Sequence, residues 1–195
     1  DMGLGLGGDT LKSTAEDLLF NRALPLNSYK TSHFTLDKDS PNALVMQTSI
    51  GQGNTLVSPM HMALITSAIA NDGVLMKPTM IDKIVNNSGD TVRETEKTEY
   101  KRLMTRNEAN ILGKLMKNVV ENGTASALNG RGYTVAGKTG SAEFDENGSS
   151  HSWFVGYSNV DDPDIAIAVI VENGGTGSEA AVPIAADVFD AYYFD

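Results

Sequence analysis

The 195-residue sequence contains no cysteine, which excludes disulfide scaffolds and cysteine-ligated zinc without fixing the redox compartment. It is also short of basic side chains: 15 Lys and Arg stand against 25 Asp and Glu, a formal charge of -10. Binding to a phosphate backbone depends on clustered Lys and Arg that release counterions, so the balance argues against nucleic acid as a partner. Long apolar runs are missing too. The longest, Ile165 to Val171, falls far below the roughly 20 residues of a membrane-spanning helix. His33, His61 and His151 lie far apart with no H-E-x-x-H or similar spacing, so no metal site and no cofactor is expected. What is present, 41% hydrophobic and 21% charged residues, is the composition of one globular domain and not of a disordered chain. The chain opens at Asp1 with neither a start methionine nor a signal-peptide pattern, and it reads as a piece of something longer.

Periodicity outlines the elements. Thr10 is placed to cap a helix whose apolar residues Leu11, Ala15, Leu18 and Leu19 recur on one face, ending near Asn21. Arg22 to Asn54 mixes Pro, Ser, Thr, Asn and Asp and predicts a long irregular surface connection. Ser58 followed by Pro59 is an N-cap with proline at the first helical position, and the helix runs to Asn71, with Gly73 suited to its left-handed exit. Its apolar residues cover almost every side, which predicts a central, buried helix. Val74 to Val92 reads as a small hairpin turning at Asn86 to Asp90. Thr105 and Glu108 form a capping box for a helix with Leu112, Leu115, Met116, Val119 and Val120 as its buried stripe, ended by Gly123. Tyr133–Thr139, Ser152–Tyr157 and Ile165–Val171 read as strands, and the short turns between them, one at Asp145 to Gly148, favour an antiparallel meander. A last helix spans about Glu179 to Ala191, with Val182, Ala185, Ala186 and Phe189 facing inward.

Two nucleotide-binding patterns match literally and fail on context. Gly3, Gly5 and Gly8 satisfy G-x-G-x-x-G, but no strand precedes them. Gly132 to Thr139 spells G-x-x-x-x-G-K-[ST], yet a phosphate loop must leave a buried strand and open a helix. Here β-forming Tyr133, Thr134 and Val135 lie inside the supposed loop, and turn-rich residues follow it. A P-loop nucleotide binder therefore stays a remote alternative.

The same residues fit better as an edge strand, VAGKTGSAE, carrying Lys138-Thr139-Gly140 beside a cleft. Ser49 to Ala63 (SIGQGNTLVSPMHMA), Ala136 to Glu143 (AGKTGSAE) and Ser152 to Tyr157 (SWFVGY) occur in that order. Together they resemble the transpeptidase domain of penicillin-binding proteins, and the resemblance covers essentially the whole chain. Of that family's signature set, Ser-x-x-Lys, Ser-x-Asn and Lys-Thr-Gly, only the third is present. No serine has lysine three positions later, and Ser40-Pro41-Asn42 lies too late and reads as a turn. The resemblance thus implies that residues 1–195 are the C-terminal portion of a single transpeptidase domain. The fold it implies is α/β of the α+β type, an antiparallel sheet covered by helices, incomplete here and shared with serine β-lactamases.

The resemblance also assigns roles. Lys138, Thr139, Gly140 and Ser141 would bind substrate along the strand, with Lys138 placing a cation near the substrate carboxylate and the hydroxyls of Thr139 and Ser141 bonding it. Gly140 would let the ligand approach the backbone. The backbone N–H of Ser141 would be one oxyanion donor, the other coming from the absent nucleophile. The implied partners are peptidoglycan stem peptides ending in D-Ala-D-Ala, β-lactams, and the missing N-terminal part of the domain. The implied location is extracytoplasmic, held to the membrane only through an N-terminal anchor outside this chain. A β-lactamase or β-lactam sensor of the same fold, and a catalytically inactive wall-binding module, are the alternatives. His61 stands where the family often has glutamine and reads as a helix-surface or packing residue. Trp153 and Phe154 read as core and cleft wall, Gly51 and Gly53 as a tight turn, and Asp145 and Glu146 as solvated turn residues and not an acid/base pair.

Overall fold

The computed structural model describes residues 1–26, 29–144 and 150–194. Its frame is a three-stranded antiparallel sheet, β5 (Val135–Glu143), β6 (Ser150–Ser158) and β7 (Ala166–Val171), in the order β5-β6-β7. β5 is therefore an edge strand, as its sequence predicts. The turn expected at Asp145 to Gly148 lies outside the described residues.

Side chains alternate between the two faces of this sheet. Val135 and Phe154 pack on one face against α5 (Val182–Phe194), through Val182, Ala185, Ala186 and Phe189, the four residues expected to point inward. A one-turn π-helix at Gly177–Ala181 leads into α5, so the helix begins later than expected. Ala136 and Tyr157 face the other way, against Met116 of α4 (Arg106–Asn122) and Ile69 and Ala70 of α3 (Pro59–Ala70). The architecture is thus the predicted antiparallel sheet covered by helices.

α3 starts as the sequence indicates: Ser58 accepts from the His61 N–H, Pro59 occupies the first turn, and only Pro59 of the helix is exposed. Its exit is left-handed at Asp72 and Gly73, whose φ values are 53° and 83°. A Cβ on Gly73 would sit 2.2 Å from the Met104 carbonyl, so glycine is required there for space as well as for φ. The capping box of α4 forms in full.

Four further expectations need correction. The first helix, α1 (Met2–Asp17), starts well before Thr10 and stops before Asn21, and Gly7 (φ 78°) kinks it. Gly8 lies so near the Asp37 carbonyl that a Cβ would be 2.0 Å away, so this glycine-rich run serves packing within a helix. The connection expected to be irregular contains α2 (Asn42–Ser49), a helix with too few apolar repeats to announce itself. Val74 does not belong to the hairpin: β1 (Val74–Met76) pairs with β4 (Glu99–Arg102), while β2 (Lys83–Val85) and β3 (Thr91–Glu94) make the hairpin around Asn86–Asp90. Local pattern cannot reveal a partner some 25 residues away. Finally, the buried line of α4 is Ala109, Gly113, Met116 and Val120, whereas Leu112 and Leu115 are exposed. Gly113 admits the Tyr157 hydroxyl, which a Cβ there would approach to 2.6 Å; the sheet sits against Gly113 and Met116 and not against Leu112 and Leu115.

Candidate active site

β5 aligns Lys138 with Val155, Thr139 with Phe154, Gly140 with Trp153 and Ser141 with Ser152. The face shared by Lys138, Gly140, Trp153 and Val155 lines a groove of about 410 Å³. Apolar Phe20, Ile50, Val57 and Met62 line it as well, with Gly51, Thr55, Thr139, Ser141 and Ala142. Phe154, on the other face, is fully buried, so of the two residues expected to form core and cleft wall, Trp153 lines the cleft and Phe154 the core. Three larger depressions, about 710, 1130 and 440 Å³, adjoin β1, the β2–β3 hairpin and the α1–α4 contact and contain none of the candidate residues.

The strand's free edge can be oriented from its hydrogen bonds. In an antiparallel ladder the N–H and C=O of one residue point to the same side, and successive residues alternate. The Ser141 carbonyl accepts from Gln52 Nε2 at 3.1 Å, and the Thr139 carbonyl accepts from Lys138 Nζ at 2.6 Å. Neither donor belongs to β6, so both carbonyls point off the sheet. The N–H groups of Thr139 and Ser141 therefore point off the sheet too, along an edge with no neighbouring strand among the described residues.

The side chains flank that edge from both faces. Lys138 is exposed on the groove side. Thr139 lies on the opposite side and is only 8% exposed, its hydroxyl 2.5 Å from that of Thr124. Two hydroxyls sharing one hydrogen bond use one of their two protons, so the pair keeps one O–H to donate. Gly140 faces Trp153, and a Cβ there would stand 3.3 Å from the Trp153 Cβ. The missing side chain thus accommodates a cross-strand neighbour in addition to leaving the edge open.

Behind the edge, Ser152 donates to the Thr176 carbonyl and accepts from the Ala181 N–H, pinning the π-helical turn against the sheet. Gly177 sits so close that a Cβ would meet the Trp153 carbonyl oxygen at 2.6 Å and the Thr139 Cβ at 2.8 Å. Sequence inspection did not single out Gln52, Thr124 or Gly177. Gln52 lies within a quoted motif block, but its contact is with a strand 89 residues away, and no local pattern encodes that.

The histidines stay apart. His33 bridges to Leu56, His151 stacks on Phe144 with ring centroids 4.3 Å apart, and His61 is fully buried. Burial holds the His61 pKa below the usual histidine value, although its bond to the Leu18 carbonyl opposes the shift. It is a packing residue of α3. Gly51 and Gly53 take φ values of 83° and 79° in the turn before α3, as expected. Ser40 closes a turn on Asp37, and Asn42 opens α2. Asp145 and Glu146 lie outside the described residues.

The family model of the penicillin-binding protein transpeptidase domain matches residues 2–190. Among curated proteins, peptidoglycan D,D-transpeptidase PbpA of Mycolicibacterium smegmatis is 29% identical over 195 residues, covering 94% of this chain and 39% of that protein. Penicillin-binding protein 3 of Bacillus subtilis is 32% identical, covering 87% and 25%. Among solved structures, the imipenem acyl-enzyme complex of penicillin-binding protein A from M. tuberculosis superposes with a TM-score of 0.83 at 26% identity, covering 97% of this chain and 43% of that one. The D,D-transpeptidase domain of an Eggerthella lenta peptidoglycan glycosyltransferase gives 0.81 at 30% identity, covering 97% and 48%. The chain thus spans less than half the length of each of these relatives.

Proposed function

The chain belongs to the penicillin-binding protein transpeptidase domain family, and from that premise we propose that it is the C-terminal portion of a peptidoglycan D,D-transpeptidase domain, supplying the strand that grips substrate and half of the oxyanion hole. The nucleophilic serine lies in polypeptide outside residues 1–195. The protein acts outside the cytoplasm, anchored to the membrane by a segment also outside this chain. No metal or organic cofactor takes part.

The reading rests above all on the outward edge of β5, which offers the N–H groups of Thr139 and Ser141 to a bound chain. A stem peptide ending in D-Ala-D-Ala pairs with that edge as an added strand. An antiparallel pair exchanges two bonds between facing residues. The residue whose carbonyl oxygen receives the Ser141 N–H therefore donates its own N–H to the Ser141 carbonyl. As the serine attacks that carbonyl carbon, negative charge develops on the oxygen beside the Ser141 N–H, and losing one such donor costs about 3 kcal/mol of transition-state stabilisation. The C–N bond to the terminal D-alanine breaks, D-alanine leaves as the amine, and an amine of a neighbouring stem peptide then takes the acyl group. Lys138 brings a cation toward the terminal carboxylate from the groove face. The Thr139–Thr124 pair and Ser141 bring hydroxyl donors from the other face. A β-lactam enters the same place and leaves a stable acyl-serine.

Incubating the full-length protein with a fluorescent penicillin tests this. A covalent adduct that persists for hours is expected; rapid release of opened penicillin indicates a β-lactamase, and no adduct an inactive wall-binding module.

A further inference from the structure

We propose that Gln52 is a positioning residue of the oxyanion strand: the turn that ends α2 aims its side-chain amide at the Ser141 carbonyl and so fixes the peptide whose neighbouring N–H receives the developing charge. The inference rests on the transpeptidase reading of this edge and adds a residue to it.

The turn carrying Gln52 is a Schellman motif. The Gly51 N–H bonds the Thr48 carbonyl at 3.0 Å, the Gln52 N–H bonds the Gln47 carbonyl at 3.0 Å, and Gly51 has the left-handed φ of 83° that the motif requires. Gly53 follows with φ 79°. Gln52 thus leaves a backbone fixed on both sides by residues in the glycine-favoured region, and its side chain is directed before any ligand arrives. From there Nε2 donates 3.1 Å to the Ser141 carbonyl. Among the described residues β5 pairs with β6 on one side only, and the outward Ser141 carbonyl is held by this amide. A carbonyl oxygen accepts two hydrogen bonds, so Gln52 and the N–H of a bound acyl donor can share it. Preorganised donors are effective because they need not reorient as charge appears. Holding Ser141 in advance acts on the acylation step more than on initial binding.

The test uses the full-length protein and three variants: Gln52→Glu, which keeps the size and loses the donor; Gln52→Ala; and Gln52→Lys, which restores a donor on a longer stem. Stopped-flow acylation by a fluorescent penicillin separates the rate constant at saturation from the non-covalent binding constant. Gln52→Glu and Gln52→Ala are expected to lower the rate constant about tenfold, the effect of losing one hydrogen bond, with binding changed less than about twofold and Gln52→Lys recovering part of the loss. A carbapenem, which has no acylamino N–H, should lose the same factor, because the tether acts on Ser141 and not on the ligand. An unchanged rate constant overturns the proposal, as does a loss confined to the binding constant, a loss confined to the penicillin, or a lowered melting temperature with normal kinetics. If the wild-type protein forms no adduct, the transpeptidase reading itself falls and takes this assignment with it.

Discussion

Buried on α3, His61 donates from Nε2 to the Leu18 carbonyl at 2.7 Å and lies against the Phe20 ring. A carbonyl only accepts, so the ring proton sits on Nε2, and Nδ1 is left buried with no partner among the described residues. Protonating Nδ1 would place an unpaired charge there, which is why the pKa is lowered from 6.5. On acidification the unfolded chain takes up this proton first. The contribution is fully present above the unfolded value, and stability falls as the pH drops below about 6.5 and through the lower folded pKa. Melting temperatures measured across that range should show the decline, and His61→Gln, which keeps a donor for Leu18, should flatten it. An identical slope in the variant would remove His61 as the cause. The sequence marks His61 as a helix-surface or packing residue, whereas its burial and the identity of its partner, 43 residues away, come only with the fold.

Among the elements, the sequence is most informative where stabilising contacts are local. The Ser58–Pro59 start, the Thr105–Glu108 box and the β-forming runs with short turns of β5 to β7 are all encoded within a few residues. α2 and the β1–β4 pair escape because their support is distant: α2 packs on α1, with Ser49 so close that a Cβ on Gly3 would strike its hydroxyl. The π-helical turn before α5 belongs to the same class, since Ser152 and Gly177 fit it onto the sheet. Gly177→Ala should therefore force the turn away from Thr139 and Trp153, at a cost of about 1–3 kcal/mol for overpacking. Denaturant titration measures that loss, and in the full-length protein penicillin acylation should slow with it. A variant of wild-type stability would show that the turn yields without affecting β5.

For the molecule as a whole, both edges of the sheet are open among the described residues. β7 is entirely apolar yet only half-buried along its length. Such an edge recruits any available strand, so residues 1–195 alone should self-associate in light scattering. Intact-mass analysis should also find no penicillin adduct on them; an adduct would place the nucleophile within this chain. By itself the sequence determined the antiparallel meander, the central and terminal helices and the place of Lys138–Ser141 on an edge strand, because β-forming runs, short turns and caps act over a few residues. Only the tertiary structure decided that Lys138 and the Thr139 and Ser141 hydroxyls flank the strand from opposite faces, that Thr124 shares Thr139's hydrogen bond, and that Gln52 reaches Ser141. Those pairings join residues far apart in the chain, and they exist only once burial of α3, α4 and α5 has fixed where the sheet lies.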